Sequence, residues 1–202
     1  MSTRRGPGRP PGAPAARREQ LIEVTIELVG DQGYPAATLG RIAEAAGLSK
    51  ASVLHHVPTV AELLAAAYEQ VLASLVAEVG AAVEVAAVTD RPGVYVIAMI
   101  GYFRDHPRHT RVASEALVHL GRPGQSQERW EPLARLLEQA RTARGLPPAA
   151  DLRTAALAIG GAIDAIVREQ QTDPDYDSTD AAEQLAAAVT TTLLSPPASR
   201  PR

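Results

Sequence analysis

Apolar residues recur at helical spacing along most of the chain, and glycine or proline separates the resulting segments. Between residues 38 and 57 the pattern predicts two short helices joined by a tight turn. Thr38 and Ser49 are suited to cap their N-termini, and Gly47 is suited to the left-handed end of the first helix. Two valines give the second helix an inward face. A short helix braced in this way fits the major groove of DNA, although an ordinary helical hairpin has the same pattern.

The segments on either side of this pair favour the DNA-binding interpretation. Residues 17–31 have an amphipathic helical pattern, and the sequence from Thr59 to Glu62 is a capping box that opens a long helix. Together, residues 17–73 resemble the DNA-binding domain of the TetR family of bacterial repressors. The resemblance is carried by residues spread over this segment: Ile22, Glu27, Leu28, Gly33, Tyr34, Thr38, Ile42, Ala43, Ala46, Gly47, Leu48, Ser49, Lys50, His56, Pro58, Leu63 and Leu64.

The resemblance implies an all-α homodimer that binds a pseudo-palindromic operator in double-stranded DNA and represses transcription until a small-molecule effector displaces it. Three positions depart from the family pattern. The family usually has tyrosine in place of Leu54, a phenylalanine-like residue in place of Val57 and lysine in place of Val60. Family members tend to bind phosphates with that tyrosine and lysine, so part of the usual grip on the DNA backbone has to come from other residues.

Few side chains on the second short helix can donate hydrogen bonds to bases. We predict that Lys50, Ser52 and His55 read the bases, on a helix that Ser49 opens. Three further DNA-binding residues are predicted to hold phosphates, because they lie at helix N-termini or in a first helical turn: Thr38, Arg41 and Thr59.

A segment rich in arginine, proline and glycine precedes the first helix. Residues 1–16 cannot pack a core, so we predict a basic arm that is disordered without DNA. Within it, Arg4, Arg5 and Arg9 accompany a Gly-Arg-Pro sequence that resembles the core of an AT-hook, and short arginine arms of this type enter narrow minor grooves. A solvated tail without a defined contact is the alternative, and attraction to phosphates is expected in either case.

Composition and charge narrow the class of protein. The chain has 202 residues, no cysteine, and 46% hydrophobic but only 3% aromatic residues, which favours closely packed helices and excludes disulfides and thiolate metal sites. Residues 1–60 hold seven basic and five acidic residues, so a net charge of +2 stands against −5 for the remainder. A basic end on an acidic body is typical of a protein that is oriented on DNA.

Other classes of protein fit less well. The chain lacks the motifs of nucleophilic hydrolases, phosphate loops and zinc proteases, so we predict no enzyme, no cofactor and no metal site. No apolar run reaches the ~18 residues of a membrane helix and no secretory signal follows the basic N-terminus, which predicts a soluble cytoplasmic protein without a membrane partner. A purely structural helical protein would leave the N-terminal pattern unexplained.

Beyond a helix-turn-helix domain at residues 17–62, we predict a larger helical domain for ligand binding and dimerisation at residues 63–202. Within it, the segment 93–103 is apolar on every face, and Tyr95, Met99 and Tyr102 share one side. We predict that this side lines a pocket for a small apolar ligand, although plain core packing has the same pattern. Further lining residues are expected around it: Tyr68, Phe103 and Trp130.

The last two predicted helices, at about residues 151–170 and 178–194, carry narrow apolar seams. Gly160 and Gly161 interrupt the first helix, and a close helix crossing would account for them. A pair of such helices that meets its own copy forms a four-helix dimer interface, as the resemblance also implies. The predicted dimerisation residues lie on the two seams: Leu152, Ala156, Ile159, Ile163, Ile166, Leu185, Val189 and Leu193.

Overall fold

The computed structural model describes residues 13–121, 126–149 and 151–195, and helices account for most of them. In chain order the helices are α1 (Ala13–Gln32), α2 (Leu39–Ala45), α3 (Lys50–His56), α4 (Val60–Val85), α5 (Arg91–Asp105), α6 (Pro107–Leu120), α7 (Ser126–Ala143), α8 (Arg153–Thr172) and α9 (Ser178–Leu193). A short 3-10 helix, Tyr34–Ala36, stands between α1 and α2. The described residues contain no strand, which confirms the all-α prediction.

The first compact unit consists of the described residues of Met1–Val71 together with Arg108–Gly121. It therefore contains α1 to α3, the first part of α4, and α6. Burying one large aliphatic side chain stabilises a fold by roughly 1.5–3 kcal/mol, so a shared core can hold short helices that are unstable alone. Fully buried side chains from these helices fill that core: Leu21, Val29, Ile42, Val53, Leu63, Leu64 and Val112.

The first helix begins at Ala13, earlier than residue 17, where the apolar spacing places it. Proline is favoured in a first helical turn and alanine has the highest helix propensity, so Pro14 and the alanines after it extend the helix without adding to its apolar face. The predicted arm of residues 1–16 therefore overlaps the first turn of α1. Its arginines Arg4, Arg5 and Arg9 lie outside the described residues.

The membership of α6 in the first unit differs from the predicted division of the chain at residues 62 and 63. Periodicity identifies a helix but not its distant partner, and Asp31 and Arg108, which join α1 to α6, are 77 positions apart. The compact units are groups of residues that contact one another, which is not the same as separate domains. The domain boundaries at residues 17–62 and 63–202 therefore remain a prediction.

The second compact unit consists of Leu72–Pro107 and the described residues of Arg122–Arg202. At its centre α5 packs against α7, α8 and α9, most extensively against α9. Val96 and Ile100 of α5 are fully buried, but Ile97 is 42% exposed, so the segment predicted to be apolar on every face is buried on only part of its surface. The other helices, and the residue that follows α9, contribute the remaining core residues: Leu133, Ala134, Leu137, Ala140, Ala156, Ile159, Ile163, Ala182, Ala186, Val189 and Leu194.

Within the described ranges, α4 is the one helix long and apolar enough to cross a membrane by length and composition. The core helix of a soluble protein passes the same test. Buried residues of α4 belong to both units: Leu63, Leu64, Ala67 and Val71 to the first, and Leu75 and Val79 to the second. The apolar residues of α4 therefore contribute to the core of each unit.

Candidate nucleic-acid interface

A side-chain cap sets the start of each short helix in the first unit. The hydroxyl of Thr38 accepts a hydrogen bond from the backbone N–H of Arg41 at 3.3 Å, at the start of α2. The hydroxyl of Ser49 accepts one from the backbone N–H of Ser52 at 3.1 Å, at the start of α3. Each cap contributes roughly 0.5–2 kcal/mol to helix stability. Both predicted caps are confirmed.

The turn between α2 and α3 depends on a left-handed residue, Gly47, whose φ is +65°. Glycine adopts this conformation without the strain that a Cβ atom would add. The N–H of Gly47 donates to the carbonyl of Glu44 at 3.0 Å, and the N–H of Leu48 donates to the carbonyl of Ala43 at 2.8 Å. These bonds satisfy carbonyls at the end of α2, and the turn predicted at this glycine is confirmed.

The two sides of α3 differ sharply in exposure. Val53 is fully buried, and Val57 after the helix end is nearly so, which anchors the inward side. Two of the predicted base-reading residues, Lys50 and His55, are exposed, whereas Ser52 is half-buried at the flank. The core therefore leaves Lys50 and His55 uncovered, and Ser52 only partly so.

The residues predicted to hold phosphates, Thr38, Arg41 and Thr59, are all exposed. The hydroxyl of Thr59 accepts from the backbone N–H of Glu62 at 3.1 Å and so caps α4. The guanidinium of Arg41 donates to the side-chain oxygen of Gln32 at 2.6 Å and to the carbonyl of Ala36 at 3.3 Å. Because a guanidinium carries five N–H donors, Arg41 keeps donors for a phosphate after making these two bonds.

An open groove of about 530 Å³ brings the N-terminal ends of α2, α3 and α4 together. Thr38 and Lys50 line this groove, as does Val60, where the family pattern usually has lysine. Apart from the hydroxyl of Tyr34, the side chains of the other five lining residues offer no polar group: Tyr34, Pro35, Ala37, Leu39 and Gly40. The groove therefore offers few groups for the DNA backbone apart from Thr38 and Lys50.

A set of contacts that the sequence pattern does not indicate fastens α6 to the end of α1. The guanidinium of Arg108 forms two bonds to the carboxylate of Asp31, at 2.7 and 3.1 Å, and Arg111 donates to the carbonyl of Asp31 at 3.2 Å. The rings of Tyr34 and His119 lie 4.5 Å apart. No local spacing signals these pairs, because the partners are far apart in the chain.

The residues predicted to line a ligand pocket are divided between the units. Tyr102 is fully buried against Leu75 and Val79, and Phe103 packs at the edge of this cluster. Tyr95 and Met99 are half-buried, and both contact this cluster as well as the larger core of the second unit. Trp130 packs on that larger core, whereas Tyr68 belongs to the first unit. Plain packing therefore accounts for Tyr102, and the prediction for the other residues stays open.

Polar groups lie at one edge of the cluster around Tyr102. Burial raises the pKa of the Tyr102 hydroxyl, and the nearby carboxylate of Glu78 raises this pKa further. His106 contacts the same carboxylate through Nε2 at 3.1 Å, and its ring lies 4.4 Å from the ring of Tyr102. The hydroxyl of Tyr102 therefore stays protonated at neutral pH.

The predicted dimerisation seam faces the core of its own chain. Ala156, Ile159, Ile163 and Val189 are buried in the second unit. The other members of the seam pack against the same core: Leu152, Ile166, Leu185 and Leu193. Periodicity reveals an apolar side of a helix but not what covers it, and here α5 and α7 supply that cover. The four buried members are therefore closed to a second subunit, whereas the half-buried ones stay predicted interface residues: Leu152, Ile166, Leu185 and Leu193.

Comparison with known proteins agrees with this geometry in the first unit. Residues 21–67 match the family model of bacterial regulatory proteins, tetR family. The HTH-type transcriptional regulator BetI of Rhizobium meliloti (strain 1021) is 32% identical over 94 residues, which are 46% of this chain and 46% of BetI. The chain thus spans less than half the length of this curated relative.

Solved structures resemble the chain over most of its length. The fatty acid degradation regulator FadR from Bacillus halodurans has a TM-score of 0.73 and 18% identity, over 91% of this chain and 96% of FadR. FadR from Bacillus subtilis in complex with stearoyl-CoA has a TM-score of 0.65 and 14% identity, over 85% of this chain and 96% of that protein. Identities this low support a shared fold alone.

Proposed function

Because this chain belongs to the TetR family of bacterial regulatory proteins, we propose that it is a cytoplasmic homodimeric repressor that leaves its operator when a small apolar ligand binds. The family consists of transcriptional regulators, not enzymes. The observation that carries the proposal for this chain is the arrangement of α3, where Val53 is buried and Lys50 and His55 are exposed. A capped helix with its polar side uncovered is suited to enter a major groove.

Changing Ser52 and His55 together to alanine is expected to relax the preference for the operator. A good base contact contributes roughly 1–3 kcal/mol of discrimination, so preference should fall about tenfold or more. Gel-shift affinities for a selected duplex and for base-substituted duplexes measure this preference. Glu44→Ala, an exposed change on α2, is the control that should leave preference intact. An unchanged preference in the double variant would contradict the assignment.

Deleting residues 1–12, which leaves α1 complete, is expected to weaken DNA binding and its dependence on salt. Each phosphate neutralised contributes about 0.9 to the log–log salt slope, so losing Arg4, Arg5 and Arg9 should flatten the slope by roughly 2–3. Affinities measured between low and moderate salt give the slope. Replacing the three arginines with glutamine in the full chain separates charge from length, and an unchanged slope in both variants would rule out the arm.

The dimer in this proposal rests on the outward sides of α8 and α9. Leu157 is 47% exposed, and beyond the local backbone and the neighbouring residues of α8, no atom lies within 4 Å of the place where a Cβ atom on Gly161 would stand. On α9, Ala187 and Ala188 are exposed as well. Small side chains allow two helix pairs to approach closely, which supports a four-helix interface between copies. A dimer would present two copies of α3, and operator half-sites lie roughly 34–36 Å apart.

The effector site is proposed around Tyr95 and Met99 in the second unit. Both side chains are half-buried between two apolar clusters, and methionine adapts readily to the shape of a ligand. The FadR protein in complex with stearoyl-CoA supports an acyl chain as the first class of compound to try. Tyr102→Ala would open a cavity in the core and cost about 3–5 kcal/mol of stability. The half-buried Tyr95 is therefore the better residue to substitute when ligand binding is measured.

Stearic acid is expected to raise the unfolding temperature and to change the emission of Trp130, the single tryptophan of the chain. At one hundred times its dissociation constant, a ligand of the native state adds about 2.7 kcal/mol of stability. The same compound should weaken operator binding in gel shifts, because an effector must bind the DNA-free form more tightly. Tyr95→Ala should reduce both effects. Stearic acid that binds without changing operator affinity would contradict its role as effector.

A further inference from the structure

Leu54 is a large apolar side chain that remains 44% exposed on α3. Its neighbours on the outward side, Ala51 and His55, are exposed too, and Lys50 lies one helical turn before it. In the first unit the side of α3 opposite Val53 is thus partly apolar. Of these four residues, Lys50 and His55 are charged or polar, and Ala51 and Leu54 are apolar.

The side chain of Leu54 cannot bind a phosphate, which is the role that the family pattern gives to this position. A tyrosine there can donate its hydroxyl to a phosphate, whereas leucine has no polar atom in its side chain. Leu54 is also not needed to hold α3, because Val53 and Val57 are the buried anchors. An exposed leucine with neither role is best removed from water by a binding partner that places an apolar group against its side chain.

The major groove of DNA displays one such group, the C5-methyl of thymine, beside the hydrogen-bonding edges of the bases. Lys50 and His55 flank Leu54 on α3 and can address those edges. The apolar pair Ala51 and Leu54 therefore stands where a methyl group would complete the contact. The flanking lysine and the basic character of the N-terminal segment favour DNA over an apolar protein partner.

We propose that Leu54, with Ala51 beside it, is a specificity-determining residue that reads thymine methyl groups in each operator half-site. The inference rests on the proposed function, since it requires α3 to enter the major groove. It predicts one or two thymines per half-site that are needed for their methyl group. Burying one such group contributes about 0.8 kcal/mol, which corresponds to about fourfold in affinity.

The test uses a duplex selected from a random-sequence pool by the full chain. Each thymine in turn is replaced by deoxyuridine, which keeps every hydrogen-bonding atom and removes only the methyl group. For the unmodified chain, affinity should fall about fourfold at one or two positions per half-site. For Leu54→Ala, the replacement at the thymine that Leu54 contacts should have much less effect, and the variant should bind the normal duplex about as weakly as the unmodified chain binds that deoxyuridine duplex.

Two further variants make the result specific. Leu54→Met keeps an apolar side chain of similar volume and should retain the sensitivity to deoxyuridine. His55→Ala should lower affinity but keep that sensitivity at the same positions. Equal sensitivity in Leu54→Ala and the unmodified chain, or no sensitive thymine at all, would overturn the inference while the proposed function stands. A chain that retains no duplex from the pool would overturn the proposed function and this inference with it.

Discussion

Replacing Ile163 with glutamate is expected to unfold the second unit, whereas replacing Leu157 with glutamate is expected to give a folded monomer. Ile163 is 3% exposed inside the core of one chain. An unpaired charge there costs several kcal/mol, which is comparable to the whole stability of a domain, roughly 5–15 kcal/mol. Leu157 faces outward, so the isolated chain tolerates glutamate and only the proposed interface would bury it.

Light scattering, circular dichroism and gel shifts distinguish these outcomes. Leu157→Glu should keep the helical signal, halve the mass and lose binding to the full operator. Val85→Glu is the matched control, because Val85 is an exposed apolar residue at the end of α4 and so belongs to neither helix of the proposed interface. A Leu157→Glu variant of normal dimer mass would place the interface elsewhere. An Ile163→Glu variant that stays folded would refute the core assignment.

Replacing Gly30 with alanine is expected to destabilise the first unit by loosening α6 from α1. A Cβ atom on Gly30 would lie 2.6 Å from the Cβ atom and 2.9 Å from the Cα atom of Arg108. Because one of these atoms belongs to the backbone, a change of rotamer cannot make room. Overpacking of this kind costs about 1–3 kcal/mol, which exceeds or cancels the gain of up to about 1 kcal/mol in helix propensity.

The matched control for this substitution is Gly80→Ala on α4, where no atom beyond the local backbone and the neighbouring residues of the helix lies within 4 Å of the added carbon. This variant should be more stable than the unmodified chain by roughly 0.5–1 kcal/mol, since only the propensity term acts. Urea unfolding measures both free energies, and hydrogen exchange of the α6 amides locates the loss. If Gly30→Ala proved as stable as Gly80→Ala, the expected clash between α1 and α6 would be contradicted.

The close backbone approach at Gly30 is expected to contribute more to the stability of the first unit than the ion pair beside it. Asp31 and Arg108 are about half exposed at their side chains. Pairs of this kind contribute roughly 0–1 kcal/mol because water and salt screen them. The glycine therefore decides how near α6 can lie, and the ion pair mainly sets its register along α1.

Local signals determined the pair of helices that carries the proposed DNA contacts. Thr38 and Ser49 cap helices that start at the following residue, and Gly47 makes the turn between them. Each of these roles depends on atoms within four residues of the side chain, and such interactions can be predicted from spacing. The identity of Leu54 and its departure from the family pattern were also visible in the sequence. Its exposure was not.

Tertiary structure alone decided which partner each apolar side meets. The spacing of Ile159 and Ile163 gives α8 an apolar side, yet α5 and α7 of the same chain cover it, so the predicted seam between subunits lies inside one subunit. The same holds for α6, whose place beside α1 depends on the distant residues Gly30 and Arg108. Periodicity describes one surface, whereas burial requires two, and the second surface comes from residues that no local pattern links to the first.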